Sequence, residues 1–322
     1  MFEYLTLLNL YRGPRIYANA DPSIGNDNFP GTADKPVLTL TEAIDRAPRN
    51  GGAVIIATSS PSHNPPEGEY AFTENVLFNK PITALIGRFT ISVSSGIGLH
   101  IYEANKFSIP ACLVIGCTIS EIGLSEAFRV TNGSYCILAS CLSLNVYNEN
   151  QIGFHLFSEG GIFSPIHGGN GFIDCRAYGG NQSGSIGFKV QDEGSDSNFV
   201  LDCSMVKNEK GIYIANSALQ GAHAIAGNRF DGNEVPCDQV DGLHSWFLYG
   251  NYYSDLPPGF DASGKETVWP NDSASWTFAH ADERPISNIG AMFSNKMMSA
   301  TSSSMIRNFL FKNIQTGFGK AL

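Results

Sequence analysis

Gly153-Phe154-His155-Leu156 and Gly187-Phe188-Lys189-Val190 are one phrase written twice: a small residue, an apolar one, a variable one and a second apolar one. The phrase recurs as Gly98-Leu99-His100-Ile101, Ala127-Phe128-Arg129-Val130 and Gly211-Ile212-Tyr213-Ile214, at successive steps of 29, 26, 34 and 24 residues. Its two apolar positions are two apart, as on one face of a β-strand. Equal strands separated by unequal steps describe a chain that returns to the same register through connections of different length.

A second register follows the first. Ile115-Gly116-Cys117-Thr118-Ile119, Ala139-Ser140-Cys141-Leu142-Ser143, Ile173-Asp174-Cys175-Arg176-Ala177, Leu201-Asp202-Cys203-Ser204-Met205 and Ala226-Gly227-Asn228-Arg229-Phe230 step by 24, 34, 28 and 25 residues. Two registers advancing together predict a coiled solenoid of strands, one repeat to a coil. Cys117, Cys141, Cys175 and Cys203 then share the inward phase, with Asn228 in the same slot, and stack as an interior ladder at about 4.8 Å per coil. Cys112 and Cys136, each five residues earlier, make a shorter second stack. Disulfides or a metal site are the other uses of such cysteines. Parallel inward side chains rarely meet a disulfide's dihedral demand and offer zinc no tetrahedral convergence, so a reduced, buried ladder is the favoured reading. That many free thiols suits folding in a reducing compartment.

Upstream, Thr39-Leu40-Thr41-Glu42 is a capping box, and Leu40, Ala43, Ile44 and Ala47 follow helical spacing to Pro48. A short helix over 40–47 is placed to plug the open end of the solenoid, whose strand edges need a cap. The whole chain has 322 residues, 34 of them glycine, with only 16% charged, which excludes a helical bundle. A net charge of −10 excludes sequence-independent binding to a phosphate backbone. No run reaches the roughly 18 apolar residues of a membrane span. The opening residues, with Glu3 and no basic stretch before it, do not read as a signal peptide.

Several segments resemble a known family. Ile16-Tyr17-Ala18-Asn19, Gly25-Asn26-Asp27 and Thr41-Glu42-Ala43-Ile44 are similar to the opening segment of right-handed parallel β-helix proteins of the pectate-lyase-like superfamily. Phe72-Thr73-Glu74-Asn75-Val76 and Lys80-Pro81-Ile82-Thr83 are similar to its first coils, and Gly250-Asn251-Tyr252-Tyr253-Ser254-Asp255 to a closing segment. The resemblance implies an all-β fold: a right-handed parallel β-helix of six or seven coils over 51–255, behind an N-terminal segment and capping helix over 1–50. It also implies a choice of functions, since the superfamily holds polysaccharide lyases and hydrolases, pectin esterases, and viral tailspike and head-fibre proteins. Residues 256–322 lose the coil pattern and carry the polar run Ser299 to Ser304, as expected of an attachment or oligomerisation region.

Two outward columns are candidate sites. Asp174 and Asp202 stack in adjacent coils with Arg176 beside them and Arg229 further on. Carboxylates roughly 5 Å apart suit a retaining glycosidase pair, and the arginines suit a uronate. Exposed ion pairs on a solenoid face are the plainer reading of the same residues. The second column is His100, Arg129, His155, Lys189 and Tyr213, the variable members of the repeated phrase, which could line a groove for an acidic glycan or a neighbouring subunit; a solvated face is again the plainer reading. The coil between Gly153 and Gly187 carries the largest excursion, around Ser158 to Gly161 and Pro165 to Gly169, and loops on rigid scaffolds favour recognition. Asp231, Glu234, Asp238, Asp241 and His244 are acid-rich, but their spacing matches no calcium loop, and neither a metal nor a cofactor is expected.

The missing export signal, the thiol ladder and the non-repetitive ends favour a virion-surface protein: a phage head fibre, capsid decoration or tail-associated glycan-binding β-helix. Such a protein is made in the host cytoplasm, oligomeric (as a trimer by resemblance), and partnered by other virion proteins or a cell-surface glycan, without nucleic acid or membrane insertion. The alternative is a polysaccharide-degrading hydrolase or lyase using the Asp174–Asp202 pair.

Overall fold

Between Ala139 and Leu142 the chain turns a corner, and that corner, repeated, organises the molecule. The computed structural model describes residues 11, 13–59, 70–102, 109–120, 124–144, 149–157, 169–191, 198–215, 222–239, 245–249, 251–253 and 276–279. From Ile137 onward each coil has three short strands: Ile137–Ala139, Leu142–Leu144 and Ile152–Phe157 are followed by Gly171–Ile173, Arg176–Tyr178 and Ile186–Gln191. Phe199–Leu201, Ser204–Val206 and Lys210–Ile214 form the next coil, then Ala222–Ala226, Arg229–Asp231 and Val235–Gln239. Every strand pairs in parallel with its counterpart one coil away, as in Phe154↔Phe188, Ile173↔Leu201 and Met205↔Phe230. The chain is a parallel β-helix with three faces.

The first and second faces belong to one fifteen-stranded sheet, and the third is a separate seven-stranded sheet. The first two faces are continuous at Leu113–Ser120, whose Leu113–Ile115 pairs with Ile137–Ala139 and whose Thr118–Ser120 pairs with Leu142–Leu144. The bend falls at Gly116, at φ 76°. In later coils the same corner is held by Ser140 (φ 50°), Asp174 (52°), Asp202 (53°) and Gly227 (68°). Left-handed backbone is costly for most residues and least so for Gly, Asn and Asp, so this column selects its own composition.

The residue after each left-handed corner points inward. Cys117, Cys141, Cys175, Cys203 and Asn228 are buried there, and the cysteines are free. The Cys175 amide donates to Cys203 Sγ at 3.4 Å, that of Cys203 to Asn228 Oδ1 at 2.9 Å, and that of Asn228 to Asn251 Oδ1 at 3.1 Å. The thiol thus occupies the acceptor position that an asparagine fills in the last two coils, and Asn251 lengthens the ladder beyond the sequence reading. A second ladder stands at the other end of the first face. Thr83, Cys112, Cys136, Asn170 and Asn198 are all buried, Cys136 N–H donates to Asn170 Oδ1 at 2.9 Å, and Asn170 N–H to Asn198 Oδ1 at 3.1 Å. Sequence reading stopped this stack at two cysteines; Asn170 and Asn198 extend it at the same five-residue distance from Cys175 and Cys203.

Burial, with neighbouring cysteines adding to it, raises the thiols of Cys117, Cys141 and Cys175 well above their ordinary range. We expect the six ladder thiols, Cys112, Cys117, Cys136, Cys141, Cys175 and Cys203, to stay unlabelled by a water-soluble disulfide reagent in native protein and to react together on unfolding. Labelling of a ladder cysteine before the loss of far-ultraviolet signal would contradict this packing.

Under the third face the repeated phrase gains its physical meaning. Phe128, Phe154 and Phe188 stack with centroids 4.7 Å apart, and Phe172 leans on Phe154 and Phe188 at 5.2 and 5.3 Å. The small residue before them is pressed against the neighbouring coil: a Cβ at Gly187 would lie 2.6 Å from Gly211 O and 3.2 Å from Met205 Cγ. Gly187→Val should therefore destabilise by about 1–3 kcal/mol or more through overpacking, read as a fall in denaturation midpoint.

Helix α1, Leu40–Arg46, buries Leu40, Ala43 and Ile44 at the N-terminal end. Thr39 caps it by accepting from Glu42 N–H, as the sequence predicts, and a second acceptor comes from further along the chain: Glu74 takes Leu40 N–H at 2.5 Å and Thr41 N–H at 3.1 Å. At the other end, Trp276–Ala279 pairs in parallel with Trp246–Tyr249, so one strand of the region beyond 255 extends the first face. The rest of 256–322, on which attachment and oligomerisation were expected, lies outside the described residues, as do 158–168, Asp241 and His244.

Candidate functional site

Asp174 and Asp202 are neighbours one coil apart, since Ile173 pairs with Leu201. Strict alternation would aim them outward from a strand, but both lie in the left-handed corner instead. Their carboxylates engage opposite neighbours. Asp174 Oδ2 accepts from Ser140 Oγ at 2.8 Å, one coil earlier. Asp202 Oδ1 lies against the corner one coil later, where a Cβ on Gly227 would come within 2.1 Å of it. Arg176 pairs across the second face with Ser204, and Arg229 lies on the strand beyond, bound to Asp231 at 2.9 Å. The structure therefore gives the acids a backbone task at the corner and separates the two arginines by an intervening strand.

The other column is brought together. His100, Arg129, His155, Lys189 and Tyr213 follow one another in register across five strands of the third face. The solvated face that is the plainer sequence reading does not describe its centre: His155 is only 3% exposed although it points away from the core. A residue outside the repeated phrase explains why. Glu126, at the start of Leu124–Thr131, receives His155 Nδ1 on Oε2 at 3.0 Å and Arg129 Nη1 on Oε1 at 3.3 Å. Thr131 Oγ1 joins the group, 2.8 Å from His100 Nε2 and 3.1 Å from Arg129 Nε. The Arg129 guanidinium lies 4.2 Å from the centre of the Phe157 ring, which in turn meets the His155 ring edge-on. His100 stacks on Tyr102, and Lys210 Nζ sits over Tyr213.

Mutual charge and burial set the protonation of this cluster. Burial opposes ionisation of Glu126, but the His155 hydrogen bond and the charges of His155, Arg129 and Lys189 outweigh it, leaving its carboxyl below the usual range. Burial, reinforced by Lys189 and Arg129 and opposed by Glu126, lowers His155. Burial and Arg129 lower Lys189 against the pull of Glu126. His100 is pushed down to about 4, by burial first and Arg129 second. An ionised Glu126 beside a neutral His155 fixes the tautomer: the carboxylate can only accept, so the proton sits on Nδ1. Nε2 is then a bare acceptor, and it is buried with no hydrogen-bond partner among the described residues.

The lowered His100 has a consequence for stability. Unfolded chain takes up a proton near the ordinary value of about 6.5 while folded chain does not until about 4, so stability contributed by neutral His100 is complete above 6.5 and is lost as pH falls towards 4. His100→Gln should flatten the fall in denaturation midpoint across that window; an unchanged slope would contradict the assignment.

Comparisons with known proteins bear on the fold. No family model matches the sequence, and no curated protein matches it. Among solved structures, a pectate lyase, Pel9A, is similar over 83% of this chain and 74% of its own, with 14% identity and a TM-score of 0.51. The likeness is one of fold, the parallel β-helix. A rhamnogalacturonan lyase matches over 74% of this chain and 73% of its own, at 15% identity and a TM-score of 0.42. Among the described residues no group of three or more His, Cys, Asp or Glu is arranged to hold a metal ion.

Glu126, Thr131 and Phe157 are members of the cluster that sequence reading missed. A signal existed for Glu126, because its counterparts in the pairing register are Ile97 and Ile152. An acid flanked on both sides in its slot by isoleucine, with His155 and Arg129 within reach, marks a place where a charge has partners.

Proposed function

We propose that this protein is a polysaccharide-degrading β-helix and that the third face holds an anionic glycan lying along the helix axis. The observation that carries the reading is the column Arg129–His155–Lys189, with its charged groups half-buried to buried and aromatic rings beside them. Arg129 and Lys189 are two coils apart, roughly 10 Å at the usual strand spacing. An extended chain of pyranoses advances by about one coil per sugar, so cations at this interval meet acidic groups on alternate residues. Tyr213 and Phe157 supply faces on which sugar rings can stack. Ionisable groups with shifted protonation in one cluster are characteristic of functional sites. Of the two functions that the sequence allows, the degradative one gains support from a protein of the same fold being a pectate lyase, and no comparable support exists for a virion role.

Retention on immobilised polygalacturonate, with neutral dextran as control, tests the reading. We expect retention on the acidic matrix alone, weakening with salt, and at least a tenfold loss in the double variant Arg129→Gln, Lys189→Gln. Equal retention on both matrices, or an unaffected double variant, would refute the assignment of this face.

A further inference from the structure

The first face is apolar on its outer side as well as its inner. Val54, Ala84, Leu113, Ile137, Gly171 and Phe199 follow one another in register across its strands. They point away from the interior, whose core takes the alternate residues, Leu138 and Val200 among them. The outward column two residues on, from Ile56 through Ile115 to Leu201, is apolar throughout as well. A parallel sheet reads as unbroken hydrophobic runs when both of its sides are buried. Within a single chain Ile137 is already only 3% exposed and Phe199 1%, whereas Ile115 and Ile173 are half-buried. The cover thus lies over the first column, beside the left-handed corner at Ala111 and Tyr135.

Tyr11 shows what approaches this edge. Gly13 N–H donates to Gly52 O, Gly52 N–H to Ile82 O in the next coil, and Leu113 N–H to Thr83 O in the coil after that. Tyr11 stands only two residues before Gly13, yet it is buried and donates its hydroxyl to Ala111 O at 3.2 Å. The chain before Gly13 therefore turns along the helix axis, crosses the rows of Val54 and Ala84, and reaches the row of Leu113 with the Tyr11 hydroxyl.

We propose that the outer side of the first face is the docking site of this chain's own segment 2–10, laid along the column as an amphipathic helix that continues from Tyr11. Tyr4, Leu7, Leu8 and Tyr11 recur at the three- and four-residue spacing of one helix side, and Glu3, Thr6 and Asn9 fall away from it. Nine residues of helix advance about 14 Å, and the three coil steps from Leu113 to Phe199 also span about 14 Å. The floor of the site is flat where the helix would cross it, because the Phe199 ring lies over Gly171, 2.2 Å from where a Cβ would stand. An uncharged helix side on an uncharged sheet face is the chemistry of helix-in-groove docking. Two other occupants are less well supported. Trp276–Ala279 shows the region beyond 255 joining the edge of this sheet, and burial of the column within one chain leaves a second copy little apolar surface to cover.

A benzophenone-bearing residue in place of Ile173, at the half-buried margin of the column, tests the proposal in the full chain. An equal mixture of ordinary and ¹⁵N-labelled protein is irradiated and the adducts are mapped by mass spectrometry. We expect about half of the adducts or more to join position 173 to residues 2–10 of the same chain. Adducts confined to a second chain or to residues 256–322, or none on 2–10, would overturn the proposal. In parallel, Leu7→Asp, Leu8→Asp should unseat the segment, so that fluorescence of an apolar-surface dye rises about threefold or more while the far-ultraviolet signal of the coils is kept. Dye fluorescence equal to that of wild type would also overturn it. Should the double variant fail to fold, the adducts alone decide.

Discussion

Phe154→Ala is expected to cost about 3–5 kcal/mol, the range for truncating a fully buried aromatic side chain. Its ring is the middle of a stack, 4.7 Å from both Phe128 and Phe188, and Phe172 from the first face closes on it at 5.2 Å. Truncation removes contacts to the coils on both sides at once, and neighbours fixed to their own strands cannot slide into the void. In a solenoid each coil is stabilised chiefly by the two beside it, so the loss should also weaken cooperativity between the N- and C-terminal halves. Denaturant unfolding monitored by far-ultraviolet circular dichroism checks both points. A shift below 1 kcal/mol would mean that the stack contributes little.

Asn228→Leu should be comparably damaging for a different reason. The side-chain oxygen accepts Cys203 N–H at 2.9 Å, and its amide nitrogen donates to Val200 O at 2.9 Å and to Asn251 Oδ1 at 3.1 Å. Leucine matches the volume, leaves Cys203 N–H buried without a partner at about 1–3 kcal/mol, and removes the bonds to Val200 O and Asn251 as well. The reciprocal change Cys203→Asn should be tolerated within about 1 kcal/mol, because it restores the acceptor for Cys175 N–H with the group used one coil later. Equal losses from the two variants would show that the slot reads size alone, whereas the expected asymmetry shows that it reads acceptor chemistry.

Much of the fold was legible because two coincident repeats require it. Phe128, Phe154 and Phe188 announce their inward phase by spacing, and Arg129, His155 and Lys189 their outward one. The corner was not legible. Alternation carries a side chain from one face to the other only while the backbone stays extended, and at Ser140, Asp174, Asp202 and Gly227 it does not. The pairing of Asp174 with Asp202 was therefore visible in the spacing and their orientation was not. For the same reason the column variable in sequence became the better site: its strands are regular where it stands, so register alone brings His155 between Arg129 and Lys189. Glu126 reaches them from the strand's first turn of the ladder, where the adjoining pair shows a register shift between Gly96 and Ile97, and periodicity cannot place such a residue.

The two inward ladders bracket the first face at a constant distance of five residues, in Cys112 to Cys117, Cys136 to Cys141, Asn170 to Cys175 and Asn198 to Cys203. That interval acts as a gauge. A single inserted or deleted residue within it would throw one ladder out of step with the other, so this side of the prism is closed to change in length. Insertions are admitted where the third-face strands end, and the steps of 24 to 34 residues show them arriving there. A lineage built on this plan can remodel the rim beside Arg129, His155 and Lys189 by lengthening those connections, and so explore new ligands, without disturbing the gauge that keeps its coils in step.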